Sequence, residues 1–238
     1  MSDPHLAGKA LLALAGAPLL ERLVQRLLSA ESDFQLVVST TARAEDEPIL
    51  ELCRRIDVRC VPGNQADRLD RQFQLMCNLG ADLVATASTD SPLIDPSVID
   101  RVLALARNGP AIFDYVSNLR PPTYPAGNDF EVMSADALES AWKESHSPEE
   151  RNHVASFVWK RPDRFRVGNV TWETGLDYSE SHRWVTVYPE DYQFARAVYD
   201  ELWSVRRPVF RLNDIIKLTS SRPDLPALNA HLLGQPSA

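Results

Sequence analysis

A chain of 238 residues, 44% hydrophobic and 24% charged, lies in the ordinary globular range, which excludes wholesale disorder, collagen-like repeats and coiled coil. Its length suits one large α/β domain whose core needs no stapling by disulfide or metal. A net charge of −8 repels phosphate backbones and anionic headgroups, so neither nucleic acid nor a membrane surface is an expected partner, and an anionic small-molecule substrate would need a locally basic pocket.

Cys53, Cys60 and Cys77 form no CxxC pair and share no zinc-finger rhythm with histidine; they read as buried thiols in a reducing compartment. No apolar run approaches the roughly 18 residues a membrane span needs, and the first dozen residues lack the regions of a signal peptide. A cytoplasmic protein is expected.

Along the chain, apolar stretches of period two alternate with stretches of period 3.6, the rhythm of βα units around a mostly parallel sheet. Pro18 opens a helix whose stripe is Leu19, Leu20, Leu23, Val24, Leu27 and Leu28. A strand over 34–40, a helix over 48–55 and a strand over 58–61 follow. The turn Pro62-Gly63-Asn64 then leads to a helix over 67–79. Residues 82–88 read as a buried strand, and Asp95-Pro96 starts a helix through Ala106. A strand over 113–117, a proline-rich loop over 120–125, a strand over 129–133 and a helix through Trp142 come next. Ser147-Pro148-Glu149-Glu150 is a capping box, which predicts a helix to Val158. Strands over 164–170 and 184–187, a helix over 189–203 and a short helix over 212–218 complete the pattern. With no repeat or linker, residues 1–238 read as one domain with an excursion at about 120–170.

In open α/β sheets, ligands bind beyond the carboxyl ends of strands. Asp90 follows the apolar run of residues 83–87, where a carboxylate either holds Mg²⁺ against a triphosphate or caps a turn before Pro92. Asp129 and Glu131, two apart on an expected strand, point to one face and suit hydroxyl recognition or metal binding; a solvated sheet edge is the plain alternative. Arg151 and His153 diverge by about 200° on an expected helix, so if His153 reaches a ligand, Arg151 makes a supporting salt bridge instead. Gly8-Lys9 is a weak echo of a phosphate loop. The other histidines and the basic clusters near 160–166 and 206–211 suit surface or salt-bridge roles.

The segments LAGKALLALAGAPLLERL, LVVSTTARAEDEPILELC, DRLDRQFQL, TDSPLIDPSVIDRVL, DYVSNLRPPTYPAGNDFEVMSADALESAW, SPEERNHVASFVWKRPDRFRVGNV and FRLNDIIKL together resemble the cytidylyltransferases of spore-coat polysaccharide biosynthesis, relatives of the enzymes that make CMP-sialic acid and CMP-Kdo. The resemblance implies a glycosyltransferase-A-like nucleotidyltransferase fold: a three-layer α/β/α arrangement around one mixed, mostly parallel, seven-stranded sheet, homodimeric through its second half. It implies attack of a sugar hydroxyl or anionic oxygen on the α-phosphate of CTP, with Mg²⁺ as cofactor. Lys9 and Asp90 would be catalytic, Asp90 would hold the metal, and Tyr124, Asp129, Glu131, Arg151 and His153 would line or flank the acceptor-sugar site.

Against the family pattern, only Leu6-Ala7-Gly8-Lys9 remains of the usual glycine-rich loop, so the first strand and that loop read as truncated. Thr86 and Thr89 stand where the family has arginine and glycine. Tyr188 stands where it has the second metal aspartate. The expected function is activation of an acidic or amino sugar as its CMP derivative for surface polysaccharide or glycan synthesis. The alternative is a catalytically degenerate relative acting as a sugar-binding or partner subunit.

Overall fold

The computed structural model describes residues 5–108 and 113–235. A 3-10 helix at Lys9–Leu11 precedes a hairpin of β1 (Ala13–Leu14) and β2 (Ala17–Pro18), which the sequence reading lacked. Pro18 caps α1 (Leu19–Leu27), as its fixed φ favours. Then come β3 (Val37–Thr41), α2 (Glu47–Arg55), β4 (Arg59–Gly63) and α3 (Arg68–Leu79), whose N-cap Asp67 accepts from the Asp70 N–H. Strand β4 runs through Pro62 and Gly63, so the expected turn begins later. β5 (Leu83–Thr86) leads to α4 (Pro96–Asn108), then β6 (Tyr115–Ser117), β7 (Glu131–Ser134) and α5 (Ala135–Glu144).

Three expectations of the second half are corrected. The single helix to Val158 is two pieces, α6 (Pro148–Asn152) and α7 (Ser156–Trp159), because His153 leaves helical geometry at φ −104°, ψ 78°. β8 is Val167–Asn169. Residues 184–187 are buried but form no strand, their neighbourhood contributing only the bridge between Ala126 and Arg183. α8 (Pro189–Leu202), α9 (Leu212–Ser221) and α10 (Asp224–Ala227) follow. Asp129 lies in the loop before β7 rather than on the strand, so its direction is set by that loop.

The main sheet has the order β5-β7-β6-β8, in which β7 alone runs against the others. The sheet is mixed, as expected, but not mostly parallel: β7 lies between β5 and β6, so two of the three pairings are antiparallel. Helix α4 covers one face, packing Val98, Ile99 and Val102 against Val116 and Val132. The opposite face packs Tyr115 and Met133 against Leu69, Phe73 and Leu138 of α3 and α5, which completes three layers.

β3 and β4 pair in parallel as a separate two-stranded sheet, backed by α1 and α2 through Leu20, Val24, Ile49 and Leu52. The hydrogen-bonded ladder is therefore divided, where one continuous seven-stranded sheet was expected. Among the described residues, β3 and β5 each carry a ladder partner on one side only. Helix α3 reaches both: Arg71 Nε donates to Ser39 Oγ on β3 at 3.1 Å, and Gln72 Nε2 to Thr86 Oγ1 on β5 at 2.7 Å.

Candidate active site

The segment from Ser88 to Asp95 leaves the carboxyl end of β5 and carries Asp90. Several groups hold its backbone. Arg26, fully buried on α1, donates to the Leu93 and Ile94 carbonyls at 3.3 and 2.7 Å and to Phe210 O at 2.8 Å. Tyr199 Oη donates to Pro92 O at 2.8 Å, and the Thr186 N–H to Asp90 O at 2.7 Å. The Asp95 N–H donates to Asn128 Oδ1 at 3.0 Å, and the Asp95 carboxylate receives the Leu212 N–H. A backbone so pinned presents its side chains at little further entropic cost.

Asp90 is 6% exposed and forms an ion pair with the ammonium of Lys9, which is equally buried. Gly8, at φ 68°, turns the chain into the 3-10 helix that carries Lys9, a left-handed conformation glycine adopts without steric cost. Two charged side chains 81 positions apart are thus joined out of water, where the Coulombic attraction must offset two desolvation penalties.

A second loop brings Asp129 to the same place. Asn118 Nδ2 donates to Asn128 O at 2.8 Å, Asn118 Oδ1 accepts from the Phe130 N–H at 3.0 Å, and Asn128 Nδ2 donates to Pro125 O at 3.0 Å. Gly127 lies directly against the backbone of Trp184 and Val185. Asp129 is half-buried, and burial pushes its carboxyl up to about 6; the Gly127 N–H opposes this and the charge of Asp90 adds to it.

Glu131, at the start of β7, lies in register with Thr86 of β5 and Ser117 of β6, so the three share the sheet face toward α3. Its carboxylate accepts from Tyr115 Oη at 2.9 Å. Burial raises its pKa, while the Tyr115 hydrogen bond and the charges of Arg68 and Arg120 draw it back down. Arg68, Arg120, Tyr115 and Asn128 escaped the sequence reading, since none stands in a recognisable motif.

Among the described residues, no hydrogen bond or ion pair joins Tyr124, Arg151 or His153 to Asp90, Asp129 or Glu131. Tyr124 is buried, its ring centroid 5.9 Å from that of Trp172 and its hydroxyl 3.5 Å from Glu173 Oε2. Arg151 ties α6 to the N-terminus of α3 through Asp67 at 2.5 Å and to the Trp142 and Ser145 carbonyls at 3.0 and 3.2 Å. His153 is exposed at the end of α6. Tyr188 sits under the ring of His5, 4.7 Å between centroids. The carboxylate of Asp191 is committed to Arg183, to the Val187 and Tyr188 N–H groups and to Asn229.

The arrangement therefore gathers a lysine and three carboxylates, Asp90, Asp129 and Glu131, around the carboxyl ends of β5 and β6. Among the described residues, no group of three or more acidic, histidine or cysteine side chains is arranged to hold a metal ion. Asp90 alone fits an ion that arrives on a polyphosphate, since Mg²⁺ commonly takes one or two protein carboxylates and draws its other ligands from phosphate and water.

A family model described as cytidylyltransferase matches residues 5–202. An uncharacterized protein of Methanocaldococcus jannaschii is 34% identical over 164 residues, covering 68% of this chain and 65% of that protein. A 3-deoxy-manno-octulosonate cytidylyltransferase of Acidovorax is 26% identical over 179 residues, 70% of this chain and 65% of that enzyme. The chain thus spans about 65% of the length of these curated relatives. A solved cytidylyltransferase of Leptospira borgpetersenii superposes with a TM-score of 0.89 at 22% identity, covering 100% of this chain and 95% of that one, a likeness of fold.

Proposed function

This chain belongs to the cytidylyltransferase family, and from that membership we propose that it transfers CMP from CTP to an acidic or amino sugar, in the manner of the spore-coat polysaccharide branch that its sequence resembles. The acceptor oxygen attacks the α-phosphorus and an O–P bond forms. The bond from that phosphorus to the bridging oxygen breaks, and pyrophosphate leaves with the electron pair.

One observation carries this reading: a buried Lys9–Asp90 ion pair stands at the carboxyl end of β5 with Asp129 and Glu131 beside it. On this reading Lys9 exchanges Asp90 for phosphate oxygens when nucleotide binds, and Asp90 is freed for the ion that travels with the triphosphate. A magnesium ion held there would neutralise charge on the phosphates and on the departing pyrophosphate. Glu131 and Asp129 offer acceptors to sugar hydroxyls. A homodimer and a cytoplasmic location belong to the same proposal; no helix among the described residues is long and apolar enough to cross a membrane.

Thermal shift with CTP, UTP, ATP and GTP, each with and without Mg²⁺, tests the nucleotide site. A ligand at 100 times its Kd stabilises the native state by about 2.7 kcal/mol. The expected result is a shift specific to CTP with Mg²⁺ and lost in Asp90→Asn. A second reading, the degenerate relative that binds sugar without transfer, draws on Tyr188, which stands where the family has its second metal aspartate, and on the commitment of Asp191 to Arg183. Silence with every nucleotide would favour it.

A further inference from the structure

Lys9 neutralises Asp90, and Glu131 has the Tyr115 hydroxyl with Arg68 and Arg120 nearby. Asp129 has no such partner. Among the described residues it forms no ion pair, and it receives one hydrogen bond, from the Gly127 N–H onto Oδ1 at 3.3 Å. A packed carboxylate without a cation destabilises the fold, and asparagine would keep the Gly127 bond without that cost. The loop holding it is nevertheless built with care: Asn118 and Asn128 fix its backbone on both sides, and Gly127 is pressed against the Trp184–Val185 peptide. A rigid, half-buried and under-bonded acceptor beside the Lys9–Asp90 pair suits a ligand group that arrives with a proton to donate.

We propose that Asp129 is the general base for the acceptor hydroxyl, which deepens the nucleotidyl-transfer reading and rests on it. The acceptor O–H donates to Asp129 Oδ2. As the oxygen attacks the α-phosphorus of CTP, its proton passes to the carboxylate; the new O–P bond forms, the bond to the bridging oxygen breaks, and pyrophosphate carries away the electron pair. Asp129 later returns the proton to solvent. The Gly127 N–H occupies Oδ1, which leaves Oδ2 to receive that proton. The charged and titratable groups around it are Asp90 with its Lys9, and Glu131 with Tyr115, Arg68 and Arg120. The role also defines the acceptor class: a neutral hydroxyl needs a base, whereas an already anionic oxygen does not.

The test compares wild type, Asp129→Asn and Asp129→Ala for CTP-dependent thermal shift and for pyrophosphate release. CTP and Mg²⁺ are supplied with 3-deoxy-manno-octulosonate, N-acetylneuraminate or glucosamine as acceptor, from pH 5 to 8. Both variants should melt cooperatively and keep the CTP shift, while kcat falls by about 100- to 10,000-fold. The wild-type rate should rise with pH through an inflection that Asp129→Asn lacks, and added formate should restore part of the rate to Asp129→Ala alone. Variants within threefold of wild type, an unchanged pH profile in Asp129→Asn, or no response to formate would overturn the assignment while leaving nucleotidyl transfer intact. Absence of a CTP shift or of pyrophosphate release in the wild type would overturn the transfer reading, and this inference with it.

Discussion

Replacing Asp129 by asparagine should make the protein more stable at neutral pH and no more stable in acid. The folded protein holds this carboxyl at about 6 against an ordinary 3.8, chiefly because packing keeps water from the charge. Between those two values the native state binds a proton that the unfolded chain has released, so stability falls as pH rises through the window and the full cost is present above pH 6. At about 1.4 kcal/mol per tenfold change in proton affinity, the cost at pH 7.5 is roughly 3 kcal/mol, reduced to the extent that solvent reaches the half-buried side chain. Asparagine still accepts from the Gly127 N–H and carries no charge to desolvate. Urea unfolding of wild type and Asp129→Asn at pH 7.5 and at pH 3.5 measures the difference directly. A gain of about 1–3 kcal/mol at pH 7.5 that vanishes at pH 3.5 is expected. Equal stability at pH 7.5, or the same offset at both values, would refute the claim that an unpaired charge is being held against solvation.

Two further substitutions probe the scaffold around the site. Asp191→Ala removes a bidentate partner 2.9 Å from both Arg183 Nε and Nη2 and orphans the Val187 and Tyr188 N–H groups, so urea unfolding should show a loss of about 3–5 kcal/mol; a loss below 1 kcal/mol would mean that Arg183 finds another acceptor. Gly127→Ala places a Cβ 2.7 Å from the Trp184 carbonyl group and the Val185 nitrogen at φ +99°, so the melting temperature should fall by an amount corresponding to about 2 kcal/mol or more, and an unchanged melting temperature would show that the loop yields.

Much of the framework is local and was readable for that reason. Pro18 before a leucine stripe, Asp67 at an N-cap, Asp95-Pro96 and the Ser147 N-cap each satisfy helix-end requirements within a few residues, and the corresponding helix starts are where the spacing placed them. The helix from Ser147 was read too long because its apolar pattern continues past His153, while the chain there turns so that Phe157 and Val158 can enter the core beside Phe165. Residues 184–187 have strand-like composition but, among the described residues, pair with no strand: their burial comes from packing, and the Thr186 N–H is spent on Asp90 rather than on a ladder.

Periodicity pointed to an α/β chain and to Asp90, Asp129 and Glu131, while the family resemblance of the short segments implied a mixed sheet and a role for Lys9. Nothing in their spacing could show that Lys9 and Asp90 are ion-paired across 81 positions or that Arg151 is held by Asp67 and the Trp142 carbonyl. Nor could it show that Asp129 lies off the strand on a loop locked by Asn118 and Asn128. Helix caps and apolar stripes are decided by neighbours within one or two turns, so a linear pattern records them. The charge environment of a carboxylate is decided by whichever distant segments fold over it, and burial changes its proton affinity only once those segments have arrived.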